Sequence, residues 1–503
     1  MPDQIYLAVD LGASSGRVLA GLFDGSRLRL EEVHRFENGA VNLAGSLQWN
    51  VLGLWQNILH GLRAARAKYG DAIRSVGVDT WGVDFALLGR DDVLLGNPVS
   101  YRDHRTDGLM DQALAELGRE EIFAHTGLQF MPINTLYQFM TLKKYNSPWL
   151  EGAKSFLMMP DFFHWLLTGV KANEVTNATT TQFFNPVRRT WATELLDKLN
   201  LPTHLLGPLV EPGTKLGSLT AAVAAETGLP RIDVVLPGTH DTASAVMAVP
   251  AKSTPGARPD WCYISSGTWS LIGIETPQPV MTDLCCKLGF TNEGGVGNTI
   301  RVLKNITGLW IIQECRRIWL AERGQASAGD DLSWSALTAK AAAAAGHKSF
   351  IDPDDASFQA PDDMPEAIRA FCRRTGQTVP QSEGEVIRTV IESLALKYRY
   401  MLGKVEALAG GRLETIHIVG GGTQNKALCQ AAADACHRRV VAGPVEATAI
   451  GNVMMQAIAA GAAKDIAQAR DIVRESFTVE EYEPRDPAKW DEAYARFEKI
   501  VGK

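Results

Sequence analysis

Long apolar runs are missing from this chain, so no segment reads as a bilayer-spanning helix. An excess of positive charge is missing too. The 50 Lys and Arg against 57 Asp and Glu leave a formal net charge of -7, which argues against non-specific binding to nucleic acid or anionic membranes. The N-terminus, MPDQIYLAVD, carries no basic stretch ahead of its apolar run, so no secretory signal is expected and a cytoplasmic location is. Cysteine is scarce, at seven in 503 residues, with no C-x-x-C pair and no regular framework. The thiols therefore read as reduced and mostly buried. No H-E-x-x-H or clustered Cys/His set points to zinc. No G-x-x-x-x-G-K-[ST] loop occurs. GGGTQN at 420–425 lacks the third glycine of a dinucleotide fingerprint, and no acidic residue ends the next strand.

What is present points to α/β layers. A chain of 503 residues is too long for one ordinary core, so at least two domains are expected. Strand-like and helix-like stretches alternate throughout. VPAKSTPGARPD, rich in Pro, Ser, Gly and charge, is the best linker and puts a boundary near 248–257. This gives domains over 1–247 and 248–455, with a helical tail over 456–503 that packs back on the first domain. DLGASSGRVLAG and ISSGTWSLIG share an apolar, Ser/Gly, apolar pattern, as expected of two halves built alike, each presenting a hairpin turn. The region 352–384, full of Asp, Pro and Ser, reads as a loop-rich insertion.

The chemistry concentrates at turns. In YLAVDLGASSGR a strand ends on Asp10 and breaks at once into small residues. Such a turn either exposes backbone N–H groups as a phosphate-binding nest, with Arg17 adding a cation, or serves hairpin geometry alone. Asp10 beside a phosphate suits Mg²⁺, which prefers carboxylate oxygen and keeps much of its hydration. Ser265-Ser266-Gly267-Thr268 is a second turn of the same kind. The glycines at 420–422 either let a flat adenosine lie against backbone or form an ordinary strand-to-helix turn. In PGTHDTASAV, Asp241 precedes a run of helix formers, so it is either an N-cap or a carboxylate poised to take a proton from a sugar hydroxyl. In DTWGVDF, Trp81 either packs on a sugar face, with Asp79 and Asp84 taking hydroxyls, or is buried as core.

These pieces match a family nearly end to end. VDLGASSGR, YRDHRT, TWATELLDKLNLPTHLLGPLVEPGTKLG and VGGGTQN resemble the FGGY group of sugar kinases, whose fold is that of actin, hexokinase and the Hsp70 ATPase domain. DTWGVDF, MPDFFHWLLTG, TNATTTQ, THDTASA, YISSGTWSL, NEGG and RVLKNITGLW are similar to one branch of that group, which acts on a 6-deoxyketose. The resemblance implies two actin-like (ribonuclease H-like) α/β domains flanking a cleft. It implies transfer of the ATP γ-phosphoryl group to O1 of L-rhamnulose, with L-fuculose as the alternative acceptor and a non-enzymatic nucleotide switch as the outsider. Ala13, Ser14, Ser15, Gly16, Arg17, Thr268, Gln313 and Gly421 are implied to contact ATP. Gly82, His240, Asp241, Thr242 and Asn305 are implied to contact the ketose, with Asp241 as proton acceptor. Mg²⁺ is expected near Asp10.

Overall fold

The computed structural model describes residues 3–252, 258–324 and 329–501. Part of the expected linker, residues 253–257, lies outside them. The chain divides into two compact units. The first takes in Met1–Gly256, Glu275–Val302 and Glu446–Phe477, and the second Ala257–Ile274, Leu303–Val445 and Thr478–Lys503. The C-terminal stretch is thus shared: helix Ile466–Ser476 goes with the first unit, helix Pro487–Phe497 with the second.

The first unit is built on a six-stranded sheet, in the order Lys215–Ser218, Asp233–Val235, Ile73–Thr80, Gln4–Leu11, Ser15–Phe23, Leu28–Glu37. The strand Gln4–Leu11 reads as a nearly unbroken apolar run because it is buried on both faces. Helices Val51–Tyr69 and Ala447–Ala459 pack against this sheet. The strand pairs antiparallel with Ser15–Phe23 and parallel with Ile73–Thr80, so Asp10 faces Arg17 on one side and Asp79 on the other. A second cluster, around Phe85, Phe139, Phe156 and Phe183, stabilises the rest of the unit through edge and tilted ring contacts.

The second unit repeats the device. Strand Trp261–Ser266 pairs antiparallel with Trp269–Thr276 and parallel with Thr415–Val419. Arg439–Ala442 and Glu480–Tyr482 continue the sheet. The 27-residue helix Glu383–Ala409 opens with a capping box between Ser382 and Glu385 and stops at Gly410 in the left-handed region. It packs against helices Trp334–Ala343 and Lys426–Cys436. The two small-residue turns therefore do stand at equivalent places in like-built hairpins.

The region 352–384 is not merely looped, because Met364–Arg374 forms an amphipathic helix capped by Asp363, with Ile368, Phe371 and Cys372 buried. All seven cysteines are free and buried. Among the described residues no helix is long and apolar enough to cross a membrane.

Candidate active site

Strand register assembles the first group of polar residues. Asp10 is 6% exposed, and Arg17, its cross-strand partner, places Nη2 at 2.5 Å from Asp10 Oδ2. The same guanidinium bonds Glu446, at the start of helix Ala447–Ala459 and 429 residues away in sequence. Arg17, expected to add a cation at the turn, is held between these two carboxylates; burial lowers its pKa, but their charges outweigh that and raise it. Burial pushes the Asp10 carboxyl up; Arg17 pulls it down, and Asp241 and Glu446 push it up again. Asp79 is driven well above the usual range by burial and then by the neighbouring Asp10 charge. Its Oδ2 accepts from Asn452 Nδ2 at 2.6 Å, and its Oδ1 has no hydrogen-bond partner. Buried carboxyls raised by neighbouring acidic charge mark a place where added positive charge is favourable.

The adjoining turn closes on itself. Gly12 N donates to Ser15 O at 2.9 Å, while Asn38 donates to Gly12 O from Nδ2 and to Ser14 O from its backbone. Carbonyls of the turn are thus occupied internally, and Ser14 at the tip is exposed. Ala13 to Arg17 are contiguous there, running from the turn into strand Ser15–Phe23.

A second group surrounds His240 and Asp241. Thr80 and His240 form a parallel bridge, with Thr80 N donating to Thr239 O at 2.9 Å, which lays Trp81 and Gly82 beside His240 to Thr242. Gly82 sits against Thr180, and Val83 N donates to Thr180 Oγ1 at 2.9 Å. A Cβ at position 82 would lie 2.9 Å from the Thr180 methyl, so the close approach favours glycine. The N-cap of helix Asp241–Met247 is His240, not Asp241, because the backbone turns one residue earlier. Asp241 opens the helix, with its side chain 35% exposed. Its Oδ1 accepts from Thr242 N at 2.5 Å and from Thr242 Oγ1 at 2.9 Å.

Trp81 resolves as core. It is 6% exposed, its ring centroid lies 4.2 Å from that of Trp49, and its Nε1 donates to Asp84 Oδ2 at 3.0 Å. Asp84, completely buried, also accepts from Trp49 Nε1 at 2.6 Å, Tyr101 N at 3.2 Å and Gln138 Nε2 at 3.1 Å. Burial outweighs these bonds, and its pKa is pushed up to about 6. Asp84 is therefore a scaffold post, with both of its oxygens already accepting hydrogen bonds from the surrounding core.

Behind His240 lie residues that sequence reasoning gave no role. Glu174, fully buried, accepts from Thr239 N at 3.0 Å, Thr239 Oγ1 at 2.6 Å and Thr176 N at 2.8 Å, and so pins the segment leading to the histidine. Thr176 Oγ1 then accepts from His240 N at 3.1 Å. Arg301 Nη2 lies 3.0 Å from His240 Nδ1 and donates to Glu293 Oε2 at 3.2 Å. Burial pushes the Glu293 carboxyl up, but its charged and polar surroundings, the Arg301 guanidinium among them, prevail and leave it below its ordinary value. The signal was available in TNATTTQ and NEGG, two stretches of the family resemblance with no chemistry of their own.

The second unit gathers another set. Thr268 Oγ1 donates to Gln313 Oε1 at 3.3 Å, and the Thr268 carbonyl accepts from Gly308 N and Trp310 N, fixing the second turn on the start of helix Trp310–Arg323. The glycines after strand Thr415–Val419 fold over Ser266: a Cβ at Gly422 would stand 2.0 Å from Ser266 Oγ, whereas one at Gly421 meets nothing within 4 Å. Thr268 and Gln313 are joined directly, and Gly421 sits in the turn that covers the neighbouring Ser266. Asn305 lies on strand Ile300–Thr307 in this unit, not in the one that holds Gly82 and His240 to Thr242. Among the described residues, no group of three or more His, Cys, Asp or Glu side chains is arranged to hold a metal ion.

Comparison with known proteins gives a consistent result. Residues 5–248 match the model of the FGGY family of carbohydrate kinases, N-terminal domain, and residues 262–460 that of its C-terminal domain. The chain is 43% identical over 498 residues to a rhamnulokinase of Bacteroides thetaiotaomicron, covering 99% of both chains. It is 43% identical over 497 residues to a rhamnulokinase of Pectobacterium atrosepticum, covering 98% of this chain and 96% of the relative. Among solved structures, a ligand-bound xylulose kinase from Lactobacillus acidophilus superposes with a TM-score of 0.80 at 15% identity, over 99% of this chain and 97% of that one.

Proposed function

The chain belongs to the FGGY family of carbohydrate kinases, and from that premise we propose that it transfers the γ-phosphoryl group of ATP to O1 of L-rhamnulose, giving L-rhamnulose 1-phosphate and ADP. The observation that carries the substrate is the near-complete coverage by rhamnulokinases at about the same identity in distant bacteria. Asp241 is the proton acceptor. As the bond from O1 to phosphorus forms and the β,γ-bridging bond breaks, the C1 hydroxyl proton passes to its carboxylate. Partial exposure leaves that carboxylate reachable, and the bonds from Thr242 hold it in one orientation. Gly82, His240, Thr242 and Asn305 complete the ketose contacts. The turn Ala13–Arg17, with Thr268, Gln313 and Gly421, holds the nucleotide.

The acidic surroundings of Asp10 suit Mg²⁺, because Asp79 Oδ1 is unpartnered and burial raises both carboxyls, with the Asp10 charge adding to the rise at Asp79 and the Asp241 charge to both. Asp10 would hold the ion, directly or through water, and the ion supplies neutralisation of phosphate charge. The rest is done by the chain: positioning and fixed electrostatics are what phosphoryl transfer requires. An ADP-release assay over ketoses and polyols tests the reading. L-rhamnulose is expected to have the highest kcat/KM. A tenfold advantage for L-fuculose or D-xylulose, about 1.4 kcal/mol, overturns the substrate and spares the kinase. Absence of ADP release with every sugar overturns both.

A further inference from the structure

We propose that Arg301 and Glu293 are positioning residues that hold His240 as the Nε2–H tautomer and thereby shape ketose recognition. An arginine only donates hydrogen bonds. Arg301 Nη2 stands 3.0 Å from His240 Nδ1, so that contact is a hydrogen bond only if Nδ1 carries the lone pair. Glu293 Oε2 stands 3.3 Å from the same Nδ1, and the imidazole nitrogen cannot donate to it and accept from Arg301 together. The shorter contact decides, and Glu293 has its own donor in Arg301 Nη2 at 3.2 Å. The neutral ring then carries its proton on Nε2, the nitrogen that faces Asp241 Oδ1 at 3.4 Å. That distance is too long for a strong bond, so Nε2–H is left to donate to a ketose hydroxyl placed beside Asp241.

Packing holds the device rigid. Arg301 is completely buried and donates from Nε to Gly294 O at 2.9 Å. Gly294 N in turn donates to Thr179 Oγ1 at 2.8 Å. The NEGG stretch is thereby tied to TNATTTQ, whose Thr176 holds the backbone of His240. A buried Arg–Glu pair is poor value for stability alone, since desolvation of both charges consumes most of their attraction. Arg301 Nη1 even lacks a hydrogen-bond partner. A role in aligning His240 accounts for keeping the pair.

The kinetic consequence rests on the kinase reading above, but the tautomer does not. The test uses the full-length, unliganded, ¹⁵N-labelled protein and long-range ¹H–¹⁵N correlation of its imidazoles, with His240 assigned by loss of its signals in His240→Gln. The wild-type ring is expected as Nε2–H. In Arg301→Met the proton should move to Nδ1, toward Glu293, while Arg301→Lys, which keeps a donor, should retain Nε2–H. Kinetically, Arg301→Met should lower kcat/KM for L-rhamnulose about 10–100-fold, the scale of one lost charge-assisted hydrogen bond, and leave the KM for ATP within about twofold. An Nδ1–H ring in the wild type overturns the proposal without any variant, even if Arg301→Met fails to fold. An unchanged tautomer and unchanged ketose kcat/KM in folded Arg301→Met overturn it as well. Failure of L-rhamnulose as a substrate would sink the proposed reaction while the wild-type spectrum still decides the tautomer.

Discussion

The two units present the same hairpin turn but surround it differently. In the first, ionisable side chains gather beside the turn: Asp10, Arg17, Asp79 and Glu446, with Asp241 close enough to raise the Asp10 carboxyl. In the second, the corresponding contacts run through backbone, hydroxyl and amide groups at Gly267, Thr268, Gln313 and the glycines over Ser266. The first arrangement is sensitive to charge, because buried carboxylates interact strongly through a poorly polarisable medium. The second is sensitive to volume, because close backbone approach leaves no room for an added methyl.

That contrast is sharpest at Asp241. Asp241→Asn removes the basic oxygen and keeps the shape, so turnover should fall by roughly 10²–10⁴-fold while directly measured ketose and ATP affinities change far less. Because His240 occupies the cap position, helix stability should hardly move. A folded variant with wild-type turnover would leave Asp241 a structural residue.

Next comes Asp10→Ala, which strips Arg17 of one of its two carboxylate partners. Turnover should drop by about 10²-fold or more, the scale of several kcal/mol of charge stabilisation, with a weakened Mg²⁺ dependence and unchanged ketose binding. If the Mg²⁺ titration is identical to wild type, Asp10 serves only to hold Arg17.

The charge sensitivity also has a pH signature. Asp84 has its pKa pushed up to about 6 in the fold, against an ordinary aspartate value of about 3.9. The folded state therefore binds this proton more tightly than the unfolded chain. Its contribution is most favourable below about pH 4 and declines as pH rises toward 6, by on the order of 2–3 kcal/mol. Urea unfolding followed between pH 4 and 7 should show that loss, and Asp84→Asn should flatten it. An unaltered pH slope in the variant would mean that Asp84 is not the group responsible.

The volume side of the comparison rests on two adjacent glycines. Gly422→Ala would drive a methyl into Ser266 and should cost about 1–3 kcal/mol of stability, read as a lower thermal midpoint, together with weaker ATP binding. Gly421→Ala meets open space and should stay within about 0.5 kcal/mol, so any loss of ATP affinity there reports on the nucleotide itself. Equal destabilisation by both would erase the distinction between a packed and an open glycine.

Much of the scaffold was legible in the chain itself. Gln4–Leu11 and Trp261–Ser266 were readable as strands because an apolar run cut off by Gly and Ser is a local signal. Asp10 at a strand tip and Asp241 before a helix stood out for the same reason. The helix Met364–Arg374 was not, since Asp, Pro and Ser around it masked an apolar face that only packing reveals. Trp81 was readable either way, and burial against Trp49 with a bond to Asp84 settled it.

The sequence by itself determined the alternation of strands and helices, the two small-residue turns and the family they belong to, because each is written in neighbouring residues whose backbone preferences do not depend on the rest of the fold. Tertiary structure alone decided which charges meet. Arg17 finds Glu446 across 429 residues, and His240 finds Arg301 across 61. No local rule links such pairs. They come together because burying the apolar faces of the sheet fixes the register of its strands and the seating of its helices, and buried polar side chains carried on them must find partners there.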